Sequence, residues 1–389
     1  MSLRMTLFML ISAFMTVPLF AQVEAEPKLA NATDVLDAAT WKKLDATVDR
    51  GLVWLATQQQ KDGSFKTILR GQPGVTAFCV MAFLAQGETP VDGKYQKQLS
   101  EAIDFIVKQQ KPNGLIAASG PDRVPIPRVK SSVGTSAVYN HAISALALSE
   151  AYGQCSPDQA ETMAPVIEKA IAASLEMQRW NPKHKEDVGG WRYLDNYRFP
   201  DEDSDLSITG WHLMFLRSAK NAGFDVPKES IDAAVKYVDN CFIKDEDRKV
   251  HAYLGRNKNA CTRAMAGAGI LALAHAGKHN SEEARSSGDW LLEHNFEKYN
   301  DDDSVYGLKW CEEHYHYGTF LCTQAMFQLG GKYWKEFYPP LVNTLLANQE
   351  KSGAWPPEKA ESRYGSCYST ALSVLSLSVP NQMLPIFQR

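Results

Sequence analysis

Four carboxylates crowd into the run Asp201-Glu202-Asp203-Ser204-Asp205. Carboxylates packed this closely cannot all ionise cheaply. One of them can therefore keep a proton and act as an acid, more so beside an apolar cavity. The structural alternative is that Ser204 or Asp205 caps a helix and the rest of the run is solvated. Trp191, Trp211, Trp310, Tyr315, Tyr317, Phe320 and Tyr368 fall near the starts of apolar segments, with His316 among them. Ring faces gathered there could line a cavity and stabilise a cation. His314 and His316 follow Glu312 and Glu313, but His-x-His on a helix points its rings to different sides and makes a weak metal pair. Asn300-Asp301-Asp302-Asp303 reads as a surface loop. Seven cysteines, an odd number with no Cys-x-x-Cys, indicate neither a disulfide framework nor a cysteine zinc site. No glycine-rich phosphate loop, nucleophile elbow or His-Glu-x-x-His occurs, and no metal or cofactor is expected.

The elements that position these residues recur along the chain. Each unit has an amphipathic helix, a turn with Gly near Gln or an aromatic, and a helix rich in Ala, Gly, Ser and Thr. The first unit runs from the Val48-Leu52-Leu55 stripe through Gln58-Gln59-Gln60 and Lys61-Asp62-Gly63-Ser64-Phe65 to the apolar stretch Val75–Ala85. Five more follow, with turn glycines at 63, 114, 190, 255, 307 and 353. The second helices, at 136–151, 207–222, 261–276, 317–329 and 368–377, have almost no polar face and must be buried all round. Six buried helices ringed by six amphipathic ones make an all-α, closed (α/α)6 toroid rather than an open superhelix.

The chain has 389 residues, enough for one large core, and its 41 basic and 45 acidic residues are well mixed. No basic stripe marks a nucleic-acid partner. Arg4, the uncharged run Met5–Phe20 and Ala21 read as an export signal. The expected organisation is a signal peptide over 1–21, a linker over 22–40 and the toroid over 41–389.

Gln349-Glu350-Lys351-Ser352-Gly353-Ala354-Trp355 is similar to the Gln-x-x-x-Gly-x-Trp motif of triterpene cyclases, and Gln59–Phe65 matches with Phe for Trp. Gly190-Trp191, Asp205–Trp211 and Tyr368–Leu377 resemble bacterial secreted proteins with prenyltransferase and squalene-cyclase repeats. The likeness to the terpenoid cyclase and protein prenyltransferase superfamily spans about residues 41 to 389. It implies a toroid fold and, for a cyclase, protonation of an apolar polyprenyl-type substrate in the barrel cavity.

On that resemblance Asp203-Ser204-Asp205-Leu206-Ser207 lines up with the Asp-x-Asp-Asp-Thr run of the cyclases. Asp205 would then be the proton donor and Asp203 its neighbour, with Leu206 standing where the family has its last Asp. Trp191, Trp211, Trp310, Tyr315, His316, Tyr317, Phe320 and Tyr368 would bind substrate. Full triterpene cyclases have two barrels, and this chain has residues for one. In the prenyltransferases Asp-x-Cys and a His hold zinc; here Asn259-Ala260-Cys261 and His316 stand in comparable places, and the neutral Asn argues against the metal.

The partner implied is an apolar small molecule, with membrane-surface association and oligomeric state left open. Two further functions fit the same fold. One is a non-catalytic module whose barrel mouth holds an apolar ligand, a peptide or a glycan. The other is a carbohydrate-active toroid using carboxylates among Asp203, Asp205 and Glu312. A deep apolar cavity favours the cyclase, and a filled barrel favours binding. Protein recovered from the producing cell should begin near Gln22 or Glu26 on N-terminal sequencing; an intact Met1 or Ser2 would refute export-signal removal.

Overall fold

A helix without a polar face has to find apolar neighbours on every side, and this chain supplies six such helices. The computed structural model describes residues 33–129, 132–194, 204–245, 248–255, 261–300 and 314–388. The outer helices are α1 (Ala38–Thr57), α3 (Gln96–Lys108), α5 (Pro157–Met177), α7 (Lys228–Asn240), α9 (Glu282–Glu293) and α11 (Gly331–Asn348). The inner helices are α2 (Gly74–Leu84), α4 (Val133–Tyr152), α6 (Leu206–Asn221), α8 (Arg263–His275), α10 (Tyr315–Leu329) and α12 (Ser366–Ser378). They alternate strictly along the chain. Each inner helix packs on the next, and α12 packs back on α2, so the ring is closed. Outside it, α1 touches both α11 and α12. Among the described residues the only β-pairing is four isolated bridges, and no helix is long and apolar enough to cross a membrane. The first helix starts at Ala38, capped by Asp37, ahead of the boundary expected at 41.

Neighbouring repeats are joined by one device used four times. A Gln at the end of an outer helix donates both amide hydrogens. One goes to the turn glycine of its own repeat and the other to a carbonyl on the next outer helix. Gln59 Nε2 bonds Gly63 O at 3.0 Å and Gln98 O at 2.8 Å. Gln110 bonds Gly114 and Val166, and Gln178 bonds Gly189 and Ser230. Gln349 bonds Gly353 O and Thr47 O, both at 2.8 Å, which ties the sixth repeat to the first.

The turn glycine is required twice over. Gly63, Gly114, Gly189 and Gly353 have φ of +89°, +85°, +89° and +98°. An added Cβ would also lie 2.2–2.4 Å from a carbonyl oxygen of the next outer helix. In the third repeat this residue is Gly189, not Gly190. Gly190 instead packs against Ser204, where a Cβ would come within 2.7 Å. Gly255 is not among the positive-φ glycines, and Gly307 lies outside the described residues.

Each turn then feeds its inner helix. The backbone N–H groups of Phe65, Trp191 and Trp355 donate to Thr76, Thr209 and Thr370 Oγ1. Ile116 N–H donates to His141 Nδ1.

The segment after α12 covers the C-terminal ends of the inner helices. Leu384, Ile386 and Phe387 are buried, and the Phe387 ring lies 6.4 Å from Phe320. Ile386 N–H donates to Glu150 Oε2 at 3.1 Å, and Gln328 donates to the Gln388 carbonyl at 3.2 Å. Burial pushes the Glu150 carboxyl up to about 7.

Gly353→Ala should lower stability by about 2 kcal/mol, because it adds both positive-φ strain and a clash with Arg50 O at the seam. Gly277, also at positive φ but with open space around it, gives the comparison. In urea unfolding Gly353→Ala should cost clearly more than Gly277→Ala, and equal losses would contradict the clamp.

Candidate functional site

The N-terminal ends of the inner helices carry the polar groups of the barrel. Asp205 begins α6 in extended conformation, so its side chain can turn back over the first helical turn. Its Oδ1 accepts from Ile208 N–H at 2.9 Å and from Ser207 Oγ at 2.6 Å. Its Oδ2 accepts from Arg192 at 2.7 Å, and both side chains of this ion pair are buried. The Trp191↔Asp205 bridge brings the two together, since Asp205 N–H donates to Trp191 O at 2.9 Å.

Tyrosines extend this pair into a network. Arg192 also donates to Tyr253 Oη at 3.1 Å, and its guanidinium lies over the Tyr193 ring, 4.5 Å from the centroid. The Tyr253 and Tyr193 hydroxyls are 2.6 Å apart, those of Tyr193 and Tyr139 are 3.5 Å apart, and Tyr139 is 2.8 Å from Ser207 Oγ. Burial, with the Asp205 carboxylate beside them, raises all three phenols, so they stay protonated. Tyr139, Tyr193 and Tyr253 are each half-buried, and their hydroxyls meet at the N-terminal ends of the inner helices.

The axis itself is filled. Trp211 of α6 packs on Phe78 of α2 at 5.5 Å and on Phe320 and Tyr317 of α10, both at 5.9 Å. Tyr368 of α12 lies 6.0 Å from Phe78, and Phe387 reaches Phe320 from below. A cavity of about 10 Å³, bordered by Gly210, Met214, Ala268, Tyr317 and Leu321, has room for one water.

Sequence expectations meet this geometry unevenly. Trp211, Tyr317, Phe320 and Tyr368 do converge on the axis, but as packing partners of one another. Trp191 does not join them. Its Nε1 donates to Ser174 O of outer helix α5 at 2.8 Å, and its ring stacks on His212 at 4.9 Å, so it sits in the wall. Tyr315 is likewise in the wall, packed on Phe296 and Tyr299. His316 is buried against Glu358 through Nδ1 and meets the Tyr299 hydroxyl at 3.2 Å through Nε2. His316 holds Glu358 below the shift that burial would impose.

Asp205, expected as a proton donor or as a helix cap, lies buried at the helix start, where its oxygens accept from Arg192, Ser207 and Ile208. An aspartate so occupied acts as cap and ion-pair partner. Burial pushes the Cys261 thiol up to about 11. Asp203, Trp310, Asn259 and Glu312 lie outside the described residues. Arg192, Tyr139, Tyr193 and Glu358 were not singled out in advance. A lone cation directly after the turn tryptophan, in Trp191-Arg192-Tyr193, is the one signal that could have flagged Arg192.

No protein-family model matches the sequence, and no curated protein matches it. Solved structures do resemble it in shape. A type II terpene cyclase from Scytonema, solved with geranylgeranyl dihydroxybenzoate, aligns over 90% of this chain and 100% of its own, with TM-score 0.51 and 12% identity. A novel alpha-amylase from Clostridium perfringens aligns over 86% of this chain and 97% of its own, with TM-score 0.52 and 11% identity. A glycosidase aligns over 90% and 100%, with TM-score 0.53 and 10% identity. The chain therefore has the α/α-toroid fold found in terpene cyclases and in glycosidases. At such identities the likeness is one of fold alone.

Asp205→Asn keeps a capping oxygen and, judged as a cap alone, should be nearly silent. The ion pair changes that outcome. Taking the negative charge out of this buried pair should cost about 3 kcal/mol in urea unfolding. The double variant Asp205→Asn/Arg192→Met should recover part of the loss. A silent Asp205→Asn would show that the pair contributes nothing.

Proposed function

We propose that this toroid is a non-catalytic binding module whose barrel mouth takes a small polyhydroxylated ligand, a short saccharide. One observation carries this: among the described residues the aromatic side chains Phe78, Trp211, Phe320 and Tyr368 pack on one another at the axis, while the half-buried Tyr139, Tyr193 and Tyr253 gather their hydroxyls at the N-terminal ends of the inner helices. A polyprenyl chain needs a deep apolar cavity, and bound ligands of drug size ordinarily occupy several hundred cubic ångströms. A saccharide needs ring faces to stack on and hydroxyls to exchange hydrogen bonds with. Tyr139, Tyr193 and Tyr253 offer both from a frame held by the Arg192–Asp205 pair.

The cyclase alternative draws support from Asp205 itself, buried at the start of the third inner helix. It requires a proton on a carboxylate that now accepts from a guanidinium, and an axis emptied of Phe78, Trp211 and Phe320. The mouth-binding alternative requires neither change.

Titration of the full chain with maltotriose, followed by NMR, should shift resonances of Tyr139, Tyr193 and Tyr253 and leave those of Phe320 and Phe387 in place. Farnesol should give no saturable change. Saturable farnesol binding that perturbs Trp211, or conversion of a polyprenyl substrate that Asp205→Asn abolishes, would replace the binding module with the cyclase.

A further inference from the structure

We infer that Tyr193 is the mouth's hydrogen-bond donor to a bound ligand, the other hydroxyls of the network having their protons committed. This rests on the mouth-binding proposal and assigns a specificity-determining residue within it. The assignment follows from counting protons along the chain of contacts. Ser207 has one hydroxyl hydrogen and gives it to Asp205 Oδ1 at 2.6 Å. The 2.8 Å contact between Ser207 and Tyr139 must then be a donation from Tyr139. Tyr139 has no second hydrogen, so toward Tyr193 it can only accept.

At the other end Arg192, which has donors and no acceptor, gives a hydrogen to Tyr253 at 3.1 Å. Tyr253 and Tyr193 are 2.6 Å apart, and one of them donates. If Tyr193 donated, the Tyr253 hydrogen would have no acceptor among the described residues, and the Tyr193 and Tyr139 oxygens would face each other with no hydrogen between them. If Tyr253 donates, every hydrogen has an acceptor and the donors run in one direction from Arg192 to Asp205. The second order is the satisfied one.

The weak link in that order is the contact from Tyr193 to Tyr139, at 3.5 Å. It is far longer than the 2.6 Å and 2.8 Å contacts on either side and beyond the usual range for O–H···O. The Tyr193 hydrogen is therefore loosely held where the other two are tightly held. It is also the most polarised of the three. Tyr193 accepts a short bond from Tyr253, which itself accepts from a guanidinium, and donation of this kind strengthens the next donor along. A ligand oxygen at the mouth can take this hydrogen at the expense of one long contact. Taking a hydrogen from Tyr139 or Tyr253 would break a short one. The group recognised is an acceptor oxygen, such as a ring or glycosidic oxygen or a hydroxyl of a saccharide.

Neutron diffraction from deuterium-exchanged crystals of the full chain reads the assignment directly. The Tyr139 deuteron should point at Ser207, the Tyr253 deuteron at Tyr193, and the Tyr193 deuteron toward Tyr139 or into the mouth. A Tyr253 deuteron aimed into the mouth, with Tyr193 donating to Tyr253, would overturn it. Maltotriose titration supplies the second measurement, with thermal melts to confirm that the variants are folded. Tyr193→Phe should weaken binding roughly tenfold, the value of one lost hydrogen bond. Tyr139→Phe keeps the ring but removes the competitor for the Tyr193 hydrogen, and should raise affinity. Equal weakening by both variants would count against Tyr193 as the donor. If the parent protein does not bind maltotriose at all, the saccharide proposal fails, and the deuteron positions still decide the donor assignment.

Discussion

The ring depends on a shared amide. In four repeats one glutamine side chain satisfies two backbone carbonyls at once, one in its own turn and one on the neighbouring outer helix. A carbonyl left without a donor in a helix–turn junction is costly to bury. The same carboxamide therefore solves a local problem and a long-range one. The glycine beside it completes the contact, because any Cβ would push the next helix away. The inner helices then pack mainly through apolar side chains, with a few polar links such as Tyr139–Ser207 and Ser218–Glu150 between α4 and α6.

A ring closed in this way has two ends with different chemistry. At the C-terminal ends of the inner helices Phe387 and its neighbours seal the barrel with apolar side chains. At the N-terminal ends the turns deliver Arg192, Asp205 and three tyrosines. Between them the aromatic rings of α2, α6, α10 and α12 meet on the axis. Here the axial face carries Phe78, Trp211 and Phe320, whose rings pack on one another. The fold shared with terpene cyclases and glycosidases does not by itself assign a function.

Much of the architecture could be read from the chain. The alternation of striped and wholly apolar helices fixed the number and order of layers, because burial on all sides leaves few arrangements. The clamp was visible as Gln and Gly four residues apart in three repeats, whereas in the third Gln178 and Gly189 are eleven apart. The side-chain directions were less visible. Gly189 and Gly190 are adjacent, and only the backbone decides which takes positive φ. Trp191 and Trp211 both stand near the start of α6, yet one faces α5 and the other the axis, a difference set by turn geometry rather than by composition. Asp205 was legible as a helix start, but its partner Arg192 lies 13 residues away. The pairing of His316 with Glu358 spans 42 residues. Neither pairing follows a helical or strand period, so no pattern in the sequence announces it.

The seam also bears on how such a chain reaches its native state. Thr47 and Gln349 are 302 residues apart, yet they share one of the bonds that close the ring. Most helix pairs can form as their residues become available, since each touches its sequence neighbour. Closure waits for the last repeat, because α2 has no second flank until α12 arrives. Until that moment one side of the first apolar helix stays bare, and the entropy of joining distant segments is met in a single late step. A growing toroid is therefore an open arc with two sticky edges, and its safest partner against aggregation is its own far end.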